Sequence, residues 1–155
     1  MLNRPLFGPA PTFERQSQQT PASASTVSVG TLDLTGDTAE WVLEAARKLE
    51  ALGRLRTGWD SYGGLPLNRG ARWLTLSVLG WLRREDLPAP AVVLGSRGSV
   101  QLEWRAKGKE LDVELGNDNT FEFVKVLQSG EIQEGATRYG LSEKLQELAQ
   151  WLLRG

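Results

Sequence analysis

The fold of this chain is decided by the stretch VQLEWRAKGKELDVEL, residues 100–115. Apolar and polar residues alternate in both halves, with Leu102 and Trp104 in the first and Leu111 and Val113 in the second. A two-residue period with one polar side is typical of strands that bury one face and expose the other. The Lys-Gly pair between the halves is a turn signal, so the stretch predicts a β-hairpin.

Similar runs lie before and after this hairpin, and turn signals separate them. The glycine-rich or asparagine-rich turns fall at residues 96–98, 116–119 and 129–130. The sequence therefore predicts an antiparallel meander of four to five strands, because short alternating runs joined by such turns pair with their neighbours. Alternation is less regular after Thr120, which predicts either a central position in the sheet or a bulge. The expected strands are residues 91–94, 99–105, 109–115, 120–127 and a short 131–133.

Three further segments have helical periodicity. Asp37 and Glu40 resemble a capping box ahead of a helix that ends near Gly53, and Asn68 is the expected N-cap of a second helix. The apolar stripes are Trp41, Val42, Ala45, Leu49 and Leu52, then Ala71, Leu74, Val78, Trp81 and Leu82, then Leu141, Leu145, Leu148, Ala149 and Leu152.

The expected fold class is α+β, with the meander packed against two N-terminal helices and one C-terminal helix. Residues 1–36 contain four prolines and many polar residues, so we expect a flexible N-terminal arm followed by a single α+β domain over residues 37–155. Alternation of Val27, Val29, Leu32 and Leu34 in the arm is compatible with a short edge strand. The expected centre of the core is Leu49, Leu74, Val78, Leu102, Trp104, Leu111, Val113 and Leu148.

The composition excludes several chemistries. The chain contains no Cys and no His, which excludes disulfides, thiolate or imidazole metal ligation, Cys–His and Ser–His nucleophiles, and histidine acid–base catalysis. It also has no apolar run of membrane-spanning length and no secretory signal pattern. We therefore expect a cytoplasmic protein that contacts no membrane and holds no cofactor.

The formal net charge of −1 conceals an uneven distribution. Residues 47–84 contain eight basic and two acidic side chains, whereas residues 99–134 contain four basic and eight acidic ones. Solvated faces of opposite sign explain this pattern without any partner, and a polar partner for either half explains it as well.

The connection between the first two helices has an unusual composition, TGWDSYGGLP at residues 57–66. Glycine and proline prevent regular structure there, while Trp59, Asp60 and Tyr62 supply two aromatic rings and a carboxylate. One interpretation is a core plug, in which the aromatics fold inward and Asp60 closes a turn. The other is a recognition loop, because aromatics near arginines are typical of binding hot spots. The candidate binding residues are Arg54, Arg56, Trp59, Asp60, Tyr62, Arg69 and Arg72.

Acidic residues on the polar side of the strands are the best candidates for catalysis. Glu103, Asp112, Glu114 and Glu122 with Lys125 nearby are the residue types that a magnesium-dependent phosphodiesterase uses. Such an enzyme usually has one acid on a strand and, on the next strand, a second acid two positions before a lysine. Lys125 follows Glu122 by three positions, so an ordinary solvated face is the preferred interpretation. We expect no metal site.

Several motifs in combination resemble a widespread group of small uncharacterised bacterial and phage-borne proteins. They are GWDSYGG at 58–64 with Pro66, PAP at 88–90, GSVQLEW at 98–104 and KELDVE at 109–114. That group has a GWD-x-YGA-x-P loop followed by an LEW strand and an L-E/D-hydrophobic-E strand. The resemblance covers about residues 50–135 and departs at Gly64-Leu65, where the group has one small residue. It implies a fold and no particular activity.

These observations favour a non-enzymatic protein-interaction or inhibitor module, phage-borne or an accessory of a defence or toxin–antitoxin system. A protein is the expected partner. One alternative is a nucleic-acid-binding accessory protein, since basic residues interleaved with aromatics suit single-stranded binding. The other alternative is a carboxylate-based metal-dependent hydrolase.

Overall fold

The computed structural model describes residues 28–29, 32–33, 38–83 and 85–154 of the chain. The expected α+β architecture is confirmed, with three helices and a five-stranded antiparallel sheet. A two-stranded ribbon of β1 (Ser28–Val29) and β2 (Leu32–Asp33) precedes α1 (Glu40–Leu52) and α2 (Arg69–Leu82). The sheet then follows in chain order as β3 (Ala91–Leu94), β4 (Val100–Ala106), β5 (Lys109–Leu115), β6 (Phe121–Val126) and β7 (Ile132–Thr137), and α3 (Leu141–Leu153) closes the fold.

The β4–β5 hairpin has the turn that its sequence predicts. Lys107 and Gly108 connect the strands with φ angles of 52° and 72°. Two consecutive left-handed residues are the signature of a type I′ turn, whose twist matches that of the paired strands. The register pairs Leu102 with Val113 and Trp104 with Leu111, so the apolar residues of both strands share one face.

This apolar face is covered by the helices. α1 lies beside β3, α2 contacts β4 and β5, and α3 contacts β5. Trp104 on β4 meets Trp41 on α1 edge to face, with ring centroids 6.3 Å apart and planes at 82°, an arrangement that aromatic quadrupoles favour. The predicted core is confirmed, because each of its members is buried: Leu49, Leu74, Val78, Leu102, Trp104, Leu111, Val113 and Leu148.

The second helix begins where the sequence predicts. The Oδ1 atom of Asn68 accepts hydrogen bonds from the backbone amides of Gly70 at 2.8 Å and Ala71 at 3.2 Å. It thereby satisfies two donors that the first turn of a helix leaves without partners. The first helix differs, since it begins after Ala39 with no side-chain cap. Asp37, the expected cap, lies outside the described residues.

Three local expectations need correction or refinement. Trp81, placed in the apolar stripe of α2, is 41% exposed, and Trp73, about two turns earlier in the same helix, is 59% exposed. Both rings face solvent because Leu74, Val78 and Leu82 occupy the side of α2 that packs against the sheet.

β6 is an interior strand with a continuous register to β5 and no bulge. β7 extends to Thr137 rather than ending at Gln133. Its polar sequence has no strand pattern there, but pairing with β6 keeps the backbone extended as far as Thr137.

The ribbon lies inside the predicted N-terminal arm. Ser28 pairs with Asp33 and Val29 with Leu32, in place of the single short edge strand considered from sequence. β1 lies against α1, and β2 lies against α2. The remainder of residues 1–36 is outside the described residues, so the flexible arm stays a prediction.

We expect Leu102→Asp or Leu111→Asp to abolish folding. An unpaired carboxylate in the buried layer costs several kcal/mol, against a total stability of roughly 5–15 kcal/mol. Val93→Asp is the matched control, because Val93 is an exposed residue on the opposite face of the same sheet. Its cost should be about 1 kcal/mol or less. Urea unfolding followed by circular dichroism measures all three, and cooperative unfolding of both buried variants would contradict the assigned strand faces.

Candidate binding surface at the α1–α2 connection

The loop between α1 and α2 is closed by its own hydrogen bonds. The amide of Gly58 donates to the carbonyl of Gly64 at 2.7 Å, which brings the two ends of the aromatic segment together. Inside this closure, Oδ1 of Asp60 accepts from the amides of Tyr62 at 2.9 Å and Gly64 at 2.8 Å. Asp60 therefore organises the loop through its backbone, as aspartate commonly does in turns.

Glycine at position 64 is required by this arrangement. A Cβ atom there would lie 2.7 Å from Cγ of Asp60 and 2.8 Å from both carboxylate oxygens. The same contacts act on the titration of Asp60, because the amides of Tyr62 and Gly64 stabilise the carboxylate and lower its pKa from the ordinary value of 3.8. The loop is thus built around an ionised Asp60.

The two aromatic residues of the loop have different roles. Trp59 is half-buried, and its Nε1 donates to the carbonyl of Leu65 at 3.0 Å, so it braces the loop. Tyr62 is 95% exposed. Neither ring belongs to the hydrophobic core. The core-plug interpretation therefore fits Trp59 only in part, since this ring is half-buried without entering the core, and it does not fit Tyr62.

Backbone hydrogen bonds fix the loop to the sheet. The amide of Leu65 donates to the carbonyl of Ser96 at 2.8 Å, and the amide of Asn68 donates to the carbonyl of Gly98 at 2.9 Å. Ser96 and Gly98 belong to the turn between β3 and β4. Two such anchors on one side and α1 on the other hold the loop in a defined position, in contrast to a free connector.

The same anchors bring together arginines from distant parts of the chain. Arg54, Arg56 and Arg69 are exposed and Arg72 is half-buried, all between the end of α1 and the first turn of α2. Arg97 is also exposed and lies between the anchoring residues Ser96 and Gly98, so the fold adds it to this group. The sequence contains no signal for Arg97, because its proximity depends on pairing between the loop and the β3–β4 turn. We call Arg54, Arg56, Tyr62, Arg69, Arg72 and Arg97 the loop surface.

The arginines of the loop surface have no carboxylate partners among the described residues. Within the described ranges, none of these guanidinium groups forms an ion pair. Asp60, the one acid inside the loop, directs Oδ1 to backbone amides instead. Within the described ranges, the loop surface therefore combines five arginines that form no ion pair with one exposed aromatic ring, and Arg97 also lines a cavity with Glu114 and Glu122.

The acidic candidates lie elsewhere, on the face of the sheet opposite the helices, which we call the open face. Glu103 pairs across strands with Asp112, and Glu114 pairs with Glu122. Burial and, next, the charge of Glu103 raise the pKa of Asp112, while Arg105 opposes the shift. Ser99 donates to Oε1 of Glu114 at 2.7 Å. Among the described residues, no group of three or more acidic side chains is arranged to hold a metal ion.

Comparison with known proteins adds no assignment. The chain matches no protein-family model, no curated protein and no solved structure. In the part of the chain that the structure describes, no helix combines the length and apolar character needed to cross a bilayer.

We expect Asp60 to titrate below its ordinary value of 3.8 in the folded protein. A lowered pKa means that the folded loop favours the carboxylate, so its stabilisation is complete above 3.8 and is lost as pH falls through the lower folded value. Amide chemical shifts of Tyr62 and Gly64 measured by NMR from pH 6 to about pH 2 should report this transition.

Asp60→Asn is the control, because its amide oxygen accepts the same bonds without titrating. The Tyr62 and Gly64 shifts should then be flat over this range. A wild-type midpoint above the ordinary aspartate value would contradict the assigned role of Asp60.

Proposed function

We propose that this chain is a non-enzymatic protein-interaction module that binds its partner through the loop surface. It would act in the cytoplasm, as an inhibitor or as a phage-borne or bacterial accessory of a defence or toxin–antitoxin system. The observation that supports the proposal most is the exposure of Tyr62 on a loop that hydrogen bonds hold rigid.

The rigidity of the loop favours binding on thermodynamic grounds. Ordering a flexible loop upon association costs free energy that reduces affinity, and a preorganised loop avoids much of this cost. The bonds from Asp60, the closure between Gly58 and Gly64 and the anchor at Ser96 already order the backbone around Tyr62. A single exposed tyrosine therefore reaches a partner with few conformations to lose.

The residue types of the loop surface also fit a protein partner. Tyrosine and arginine are over-represented among residues whose truncation weakens protein complexes most. The arginines of the loop surface form no ion pairs among the described residues, so they remain available for carboxylates of a partner. A partner with an acidic rim around an apolar pocket would complement this surface.

Nucleic acid is the second candidate partner. The observation that favours it is the convergence of Arg54, Arg56, Arg69 and Arg97 at one end of the fold, since phosphates bind such groups. Against it, the loop surface presents one exposed aromatic ring, whereas single-strand binders stack successive bases on several. The hydrolase hypothesis has no comparable support, because among the described residues no group of three or more acidic side chains is arranged to hold a metal ion.

We expect Tyr62→Ala to weaken binding of the native partner by about 1–3 kcal/mol without loss of stability, as truncation of a hot spot does. The partner is first identified by affinity capture from the native host and mass spectrometry, and its Kd is then measured by calorimetry. Tyr139→Ala is the matched control, because Tyr139 is 88% exposed but lies just before α3. Loss of folding in Tyr62→Ala without a separate binding defect would contradict the proposal.

We expect Arg56→Glu to weaken the same complex, while Arg47→Glu on the exposed side of α1 leaves it unchanged. Salt dependence then distinguishes the two partner classes. A protein partner should give a shallow dependence of log Kd on log salt concentration, because an apolar hot spot is little affected by screening. A steep dependence that decreases with each arginine removed would instead identify nucleic acid.

A further inference from the structure

β7 extends beyond the layer of helices. The helices contact β3, β4 and β5, and α3 also reaches β6, where Trp151 lies beside Lys125. Exposure follows this limit, since β4 and β5 alternate between buried and half-buried residues whereas most of β7 is exposed. Ile132 on β7 is 61% exposed. In the part of the chain that the structure describes, the far side of the sheet therefore ends in a strand that no helix covers.

β7 presents, along its outer edge, backbone groups that pair with no strand among the described residues. The amide of Leu127 donates to the carbonyl of Glu131, so the backbone of Glu131 faces β6. Because these groups alternate along an antiparallel strand, the N–H and C=O groups of Ile132, Glu134 and Ala136 point away from β6. β7 is the last strand of the sheet order, and in the described ranges no strand pairs with this edge. The edge also contains no proline or lysine, residues that commonly protect exposed strands.

A groove runs beside this edge on the side of the helices. It has a volume of about 480 Å³ and lies between β7 and the beginning of α3. Phe123 forms an apolar part of its lining and covers Gly135, where a Cβ atom would lie 2.5 Å from the ring. The Nζ atom of Lys144 sits 5.2 Å from the centre of the same ring. A strand added to β7 would direct alternate side chains into this groove.

The other set of side chains would meet the open face, which combines acidic and apolar residues at this edge. Its register rows carry Glu103, Asp112, Val124 and Glu134 along one line and Glu114, Glu122 and Ala136 along the next. Arg105 pairs with Glu103 at 3.3 Å and with Glu110 at 3.5 Å, and Arg97 lines a cavity with Glu114 and Glu122. A strand added beside β7 would lie next to Glu134 and one strand away from Glu122, so positive side chains on it would reduce the negative charge of this edge.

We propose that the free edge of β7 binds an extended segment of a protein partner as a sixth strand. The segment alternates basic residues, which face Glu134 and Glu122, with apolar residues, which enter the groove beside Phe123. Main-chain hydrogen bonds to Ile132, Glu134 and Ala136 supply affinity, and the two faces supply specificity, as in other cases of strand addition. This site is separate from the loop surface and does not depend on the proposed function.

The test uses the full chain and a fluorescein-labelled nine-residue peptide of alternating Lys and Val, measured by fluorescence anisotropy. Two peptides serve as controls. One replaces each Lys by Glu. The other has a central Pro-Pro pair, which removes one N–H from each edge of the peptide, and carries the same number of lysines as the Lys–Val peptide so that the charge is unchanged. We expect the Lys–Val peptide to bind at least tenfold more tightly than either control. Failure of the Lys–Val peptide to bind, or equal binding of the proline peptide, would overturn the proposal.

Protein variants locate the site. Ala136→Pro removes an outward N–H without touching the bonds to β6, and we expect it to weaken peptide binding at least tenfold. The double variant Glu122→Gln with Glu134→Gln should weaken it severalfold and flatten its salt dependence. Glu44→Gln on α1 and Tyr62→Ala should have no effect. If Ala136→Pro fails to fold by circular dichroism, the proline peptide on the wild-type protein decides the question.

Sedimentation of the wild-type chain tests the competing occupant, a second copy. A monomer is expected. A dimer that Ala136→Pro converts to a monomer would show that the edge pairs with itself, and would overturn the proposal. Unchanged peptide binding in a folded Ala136→Pro variant would overturn it as well.

Discussion

The structure depends on covering the apolar face of the β4–β5 hairpin. Six side chains of that face, Val100, Leu102, Trp104, Leu111, Val113 and Leu115, are withdrawn almost completely from water. Burial of each such residue contributes about 1.5–3 kcal/mol, and no single helix is wide enough to cover both strands. Three helices meet this demand, two before the sheet and one after it. Their width also sets where cover ends, which is why β7 extends past them.

The need to satisfy backbone polar groups shapes the loop surface. A connector of this length and composition carries many amides and carbonyls, and unpaired groups beside the sheet would cost free energy. The Asp60 carboxylate, the Trp59 indole and the β3–β4 turn each bind some of them. Once these partners are used, Tyr62 has no interior position left and projects into solvent. Its exposure is thus a result of how the loop is stabilised, and it is also the property that suits binding.

The charge separation along the chain becomes a separation in space. Basic residues gather at the end of the fold where α1, α2 and the β3–β4 turn meet, whereas acidic residues occupy the open face. Carboxylates that face each other on adjacent strands, such as Glu114 and Glu122, repel and lower the stability of the sheet. Among the described residues, neither of these two forms an ion pair. Two surfaces of opposite sign are therefore available for partners of different chemistry, one at the loop and one along β7.

The sequence by itself determined the α+β class, the β4–β5 hairpin, the Asn68 cap and the core, because periodicity and turn chemistry act between residues a few positions apart. Other features depended on distant contacts. Trp81 faces solvent because neighbouring leucines fill the contact with the sheet, and β7 continues to Thr137 because β6 pairs with it. The loop composition identified Trp59, Asp60 and Tyr62 as a group, but only the tertiary structure separated the bracing tryptophan from the exposed tyrosine. Arg97 joined them through hydrogen bonds between segments about 30 residues apart, a distance over which local sequence patterns carry no geometric information.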